Sequence, residues 1–349
     1  MSIQAVRDVG GSARPQCPKS MWFGPCGGVR ADGGCEVDGR PCPFVDKFEF
    51  AVESNDRLPI SLRSPSFIVD VRAPAMRSAD LIELWRATAE TLQGCIALLG
   101  EHVDNPGHED DSGLLQPVQV IEILRSGGVP TIATISGRNR NESEARAMIR
   151  RLHVAGALAV HCVTGDHPRS VGIDRDASFG MESMTLIRVC NEEGVAATVA
   201  ESPASPGHRA HRVAAKQRAG ASACILNHMG DTAVLFGFLD AATDQGATIP
   251  FVAPIPMIGD RASALGLAKF PGLRLPSGML ERVAGADDPR SEALSWVTAM
   301  TREIAFDGRC VGVNLSGSAG GVGPWQRLER TKVFIDAVAS AWGEGGGQR

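Results

Sequence analysis

From residue 67 onward, short runs rich in apolar, β-branched residues alternate eight times with segments of helical periodicity. The runs span 67–71, 96–104, 130–135, 157–164, 195–200, 221–227, 249–254 and 309–315. They stay apolar instead of alternating with polar residues. That is the pattern of strands buried on both faces, as in a parallel sheet covered by helices. Predicted helices fill the intervals at 78–92, 115–125, 142–155, 181–193, 208–219, 232–245, 261–269 with 288–306, and 326–342. Eight strand–helix units without a ninth predict a closed (β/α)8 TIM barrel of the α/β class rather than an open doubly wound sheet. No strand is followed by Gly-x-Gly-x-x-Gly, the main sequence sign of a dinucleotide-binding open sheet.

A chain of 349 residues with 43% hydrophobic side chains can bury one large core of this kind. Its net charge of −5 gives no general attraction for nucleic acid or anionic membranes. No apolar run approaches the length of a membrane span, and the first residues lack the apolar stretch of a signal peptide. A cytoplasmic enzyme is the expectation, with neither nucleic acid nor membrane as a partner. Residues 63–345 are assigned to the barrel and residues 1–62 to a cysteine-rich extension; the glycine-rich tail at 343–349 is expected to fray.

The extension carries Cys17, Cys26, Cys35 and Cys42, four of the nine cysteines. Threaded by Gly and Pro turns, these thiols suit one tetrahedral centre, either a structural zinc or an iron–sulfur cluster. Their spacing is not a pair of Cys-x-x-Cys knuckles, so reduced structural cysteines are a second reading. Disulfides are a third, disfavoured in a reducing compartment. With so few apolar residues the extension is expected to clip onto the barrel or to be held by metal. Cys95, Cys162, Cys190, Cys224 and Cys310 lie in apolar runs and are read as core.

The fourth apolar run ends in Thr164-Gly165-Asp166. This places a carboxylate at the carboxyl end of a strand, where parallel α/β folds bind ligands. Simple capping of the next turn is the competing reading.

Several segments resemble the methylenetetrahydrofolate reductase family, in the family's order. Cys17-Pro-Lys, Gly24-Pro-Cys-Gly-Gly and Cys35-Glu-Val look like the cysteine-rich segment of some relatives and of their partner subunits. Val103-Asp-Asn-Pro, Gly137-Arg-Asn-Arg-Asn, Thr164-Gly-Asp and Lys216-Gln-Arg-Ala-Gly-Ala are similar to the family's motifs after strands two, three and four and before strand six. The resemblance implies a catalytic role for Asp166 against pterin and flavin. It also implies flavin contacts from Gly165, Asn141 and Lys216, and substrate contacts from Asp104, Asn227 and His228. The family's strand-one glutamate falls on Asp70, which is the candidate general acid. Glu49, in Lys47-Phe-Glu-Phe, mimics the same motif but precedes the first strand and ranks second.

Departures from the family pattern cluster on the flavin side. Thr134 stands at the usual strand-three histidine and Asn139 at an aspartate. Thr198-Val-Ala-Glu-Ser-Pro replaces a Tyr-Pro-Glu-x-His segment, and the chain contains no tyrosine at all. The expected activity is reduction of 5,10-methylenetetrahydrofolate to 5-methyltetrahydrofolate by NAD(P)H through FAD, supplying methyl groups for methionine and one-carbon metabolism. Two alternatives stay open: the same reaction without flavin, or a folate-binding or methyl-transfer partner subunit with a metal or iron–sulfur centre. A partner subunit docking on the cysteine segment and a homo-oligomer are further expectations.

Overall fold

The computed structural model describes residues 14–46, 57–72, 80–101, 115–227, 229–267, 275–321 and 323–347. The strands are β1 (Ser66–Val71), β2 (Ile96–Leu99), β3 (Thr131–Ser136), β4 (Ala159–Val163), β5 (Ala197–Glu201), β6 (Ala223–Leu226), β7 (Phe251–Ile258) and β8 (Cys310–Ser318). The helices between and after them are α1 (Asp80–Thr91), α2 (Pro117–Ser126), α3 (Glu142–Ala155), α4 (Ser183–Glu192), α5 (Arg209–Arg218), α6 (Thr232–Asp244), α7 (Arg261–Leu267), α8 (Met279–Gly285), α9 (Pro289–Asp307) and α10 (Pro324–Gly346). The strands pair in sequence order, all parallel, and β8 closes onto β1. The predicted eight-unit barrel is the fold.

Two hydrophobic layers follow from strand alternation. Val69, Ala133, Val160, Val199, Leu226 and Leu315 face outward into the core shared with the helices. On the other face, Ile68, Leu98, Ile132, Ala159, Ala196, Ile225 and Val252 meet inside the barrel, and Leu58, Ile60 and Leu62 plug this floor from the amino end. The five core cysteines are all buried, as their apolar contexts predict.

Four elements differ from expectation. β7 and β8 run to Ile258 and Ser318, beyond the predicted ends at 254 and 315. Pro254 and Pro256 break the sequence signal, yet they pair in register with Asn314 and Ser316. β6 pairs with β7 only as far as Val252, so the prolines fall where no ladder donor is required on that side. Helix α8 carries no clear periodicity and was not expected. The tail does not fray at 343: α10 continues to Gly346, because Glu344 pairs with Arg302 of α9 at 2.7 Å and Gly345 lies against the α9 backbone. Among the described residues, no helix is long and apolar enough to cross a membrane.

Closure of the sheet depends on Gly312 of β8. It pairs in register with Ser66, and a Cβ there would lie 1.9 Å from the Ser66 carbonyl oxygen. Gly312→Ala must push β8 off β1, and we expect it to destabilise the fold by about 1–3 kcal/mol in a urea titration, the usual range for overpacking.

Candidate functional site

One register step above the hydrophobic floor, the barrel interior turns polar. Asp70, Thr134, His161, Thr198 and Asn314 each stand two residues beyond a floor position, or at the matching place on β8, and so share the inward face. Polar side chains in the middle of apolar strands are costly unless partnered, so this ring marks a site.

Asp70 is the carboxyl of this ring. Burial pushes it up to about 6, against a hydrogen bond from Asn314 and the nearby charge of Arg72. Its Oδ1 is enclosed and has no hydrogen-bond partner among the described residues, and the same is true of Asn314 Oδ1. Asn314 is 3% exposed. His161 sits beside Thr134 in the β3–β4 register, and its Nδ1 meets Thr198 Oγ1 at 2.9 Å. Burial, with Lys216 adding to it, pulls His161 down to about 4, so the ring is neutral at physiological pH.

The turn after β4 carries Gly165 and Asp166 at the carboxyl end of the strand, as the sequence implied. Gly165 has φ +92° and leaves no room for a Cβ against Ser136. Asp166 is exposed, and its carbonyl accepts from Arg138 Nη1 at 3.1 Å. The cysteine segment reaches this turn: Lys19 Nζ donates to the Gly165 carbonyl at 2.9 Å and pairs with Glu36 at 2.5 Å. Burial would lower the Lys19 pKa, but Cys26, Glu36 and Asp166 outweigh it and hold the ammonium charged.

Next to it lies a buried ion cluster that sequence reasoning missed. Glu201, at the end of β5, accepts from Arg209 and Arg212 at 3.2 Å each and from Lys216 at 2.9 Å. Burial alone would raise the Glu201 carboxyl, but Lys216, Arg212 and Arg209 hold it far below the usual range. Lys216 gains less, since burial and the like charge of Arg212 pull it below the ordinary lysine value. Arg209 also donates to the Cys26 carbonyl at 3.2 Å. Glu182, just before α4, accepts the backbone N–H groups of Trp22 and Phe23, and burial pushes its carboxyl up to about 7. The extension is thus clipped to the barrel by polar contacts, one of the two arrangements its composition allowed.

Residues 111–311 match the methylenetetrahydrofolate reductase family, and residues 6–60 match a family described as methylene-tetrahydrofolate reductase C terminal. The first match alone covers more than half of the chain. The chain belongs to the methylenetetrahydrofolate reductase family. Among curated protein sequences, none matches it significantly. A solved structure of similar fold is an uncharacterized protein from Clostridium thermocellum that binds two copies of 5-methyl-5,6,7,8-tetrahydrofolic acid. It is 13% identical, with 80% of this chain and 96% of that one covered and a TM-score of 0.59. A tryptophan synthase from M. tuberculosis matches at 14% identity over 80% of this chain and 93% of that chain, with a TM-score of 0.41.

The residues expected to hold the family's flavin are engaged elsewhere. Lys216 is neither a solvated helix lysine nor free to neutralise a phosphate: its Nζ is bound to the Ala200 carbonyl at 2.6 Å and to Glu201. Asn141 caps α3, its side chain accepting from Glu144 N at 3.0 Å in a capping box. Together with the missing tyrosine, these contacts do not fit the flavin site that the resemblance implies. Asn227 lies at the end of β6, its Oδ1 accepting from Ser202 Oγ at 2.7 Å. Glu49, Asp104 and His228 lie outside the described residues.

The four extension cysteines line one pocket with Met21 and Phe44, and no disulfide links them. Burial raises the Cys17 and Cys35 thiols and pushes Cys42 up to about 11. Among the described residues, no group of three or more His, Cys, Asp or Glu side chains is arranged to hold a metal ion. Cys17, Cys26 and Cys42 pack against this apolar pair.

Removing the Glu201 charge leaves three buried cations without their anion. Glu201→Gln should cost about 3–5 kcal/mol in chemical denaturation. Because the folded carboxyl titrates below its unfolded value, this contribution is complete above about pH 4.3 and is lost as pH falls toward the folded value. The gap between wild type and variant should accordingly stay constant from pH 6 to 8.

Proposed function

We propose that the protein reduces 5,10-methylenetetrahydrofolate to 5-methyltetrahydrofolate at the carboxyl mouth of the barrel, with reduced nicotinamide nucleotide delivering hydride directly to the folate. The observation that carries this reading is Asp70: a carboxyl on the inward face, raised toward neutrality, with one enclosed oxygen unpartnered. Reduction requires the five-membered imidazolidine ring to open. A proton from Asp70 to N10 releases that nitrogen from the bridging carbon, leaving an iminium at N5. Hydride addition to the same carbon makes the methyl group, and solvent returns the proton to Asp70.

A carboxyl with a pKa near 6 keeps about a tenth of its molecules protonated at pH 7, enough for a general acid. The neutral His161 adds no charge that would hold Asp70 ionised. At the rim, Asp166 is the exposed carboxylate available to an N–H edge of the pterin. Family membership supports the folate, as does the 5-methyltetrahydrofolic acid held by the Clostridium thermocellum protein of similar fold. The engagement of Lys216 and Asn141 favours transfer without flavin over transfer through it.

The test is NAD(P)H oxidation dependent on methylenetetrahydrofolate, with an anaerobic absorption spectrum of the purified protein. Turnover by a colourless protein is the expected result. Flavin bands would restore the flavin route, and folate binding without oxidation would make the chain a folate-binding protein. Asp70→Ala should lower kcat by about 10²–10⁴ while pterin affinity is largely kept. In wild type, kcat/KM should fall about tenfold per pH unit above pH 6, as the acid loses its proton.

A further inference from the structure

We infer that Asn314 is a substrate-binding and positioning residue: its carboxamide holds Asp70 against the barrel wall and leaves its own oxygen to accept an N–H of the bound pterin. This rests on the reading of Asp70 given above. Three observations carry it. Asn314 stands on the inward face of β8, in register with Ile68, one inward step from Asp70 on the neighbouring strand. It is almost wholly enclosed, yet its Oδ1 has no donor among the described residues. Asp70 Oδ1 is a second enclosed acceptor without a donor among the described residues, so two such acceptors stand on the inward faces of neighbouring strands.

A buried carboxamide oxygen without a partner is rare, because an apolar side chain of similar size would avoid its desolvation. It is explained where a ligand supplies the donor. A protonated Asp70 satisfies part of this arrangement by donating, and a reduced pterin carries ring and amino N–H groups for the rest. The groups that act on Asp70 are few. Arg72, just past the end of β1, and Asn314 on β8 both favour its charged form, and its partner on β2 is the apolar Leu98. Replacing Asn314 by an apolar residue therefore removes one of the two influences that oppose protonation among the described residues.

The experiment follows the infrared band of the protonated Asp70 carboxyl in ligand-free protein, identified by its loss in Asp70→Asn. In Asn314→Leu the midpoint should rise by about one pH unit, and the alkaline limb of kcat/KM should move up with it. KM for methylenetetrahydrofolate should rise about three- to tenfold, the loss of one hydrogen bond. Asn314→Ala, which only removes atoms, gives the same readings if the leucine variant does not fold. A role confined to packing would lower the melting temperature and leave the titration unmoved. An unshifted band together with wild-type KM overturns the inference. If wild type shows no nicotinamide oxidation, the proposed reaction fails by itself. The infrared titration and equilibrium binding of 5-methyltetrahydrofolate then still decide the role of Asn314: a raised midpoint and weakened binding support it, and unchanged values overturn it.

Discussion

The closure of β8 onto β1 is the constraint from which the rest of the molecule follows. Parallel strands have no local hairpin to pair them, so the two ends of a sheet built from eight units meet only through long-range contact. Here the contact is close because Gly312 lets the β8 backbone approach Ser66. Once that register is set, Asn314 comes beside the strand that carries Asp70, across nearly 250 residues of chain. An open sheet would leave these two side chains at opposite edges.

Inside the closed barrel, hydrophobic and polar demands are separated by height. The floor is sealed by aliphatic residues from the strands and by Leu58, Ile60 and Leu62 below them. The next ring carries Asp70, His161 and Asn314, and burial drives both titratable members toward their neutral forms. Desolvation thus keeps a fraction of Asp70 protonated near neutral pH and leaves the histidine of the same ring uncharged. A charged pair at the same depth would have held Asp70 ionised and unable to donate.

The cysteine-bearing part of the amino-terminal segment is tied to the barrel by a set of polar contacts, beside the apolar packing of Phe23. Its backbone N–H groups meet Glu182, its Lys19 meets the Gly165 carbonyl, and its Cys26 carbonyl meets Arg209. These anchors sit on β4, β5 and the helices after them. The excess positive charge around Glu201 therefore faces carbonyl oxygens and thiols instead of solvent. In this family member, the lysine that resembles a cofactor contact has become part of that internal scaffold.

Strand number, order and class were legible in the sequence because eight apolar runs without polar alternation admit few other folds. Asp70 and the Gly165–Asp166 turn were legible for the same reason, since each is a carboxylate in or just after such a run. His161 and Asn314 left a signal too, a single polar residue within an apolar strand, but periodicity alone does not say which face of a strand points inward. Lys216 shows the limit most clearly. Its motif fits a surface phosphate contact, and only packing against Glu201, fifteen residues away and on another element, turned it inward. The four cysteines are similar: their spacing permits a common centre, but only the folded segment brings them to one pocket beside Met21 and Phe44. Local pattern determines which elements form, because hydrogen bonding and apolar periodicity act over a few residues. Which polar groups become buried together, and so which are charged or free to react, is set by contacts between distant segments that exist only once the barrel has closed.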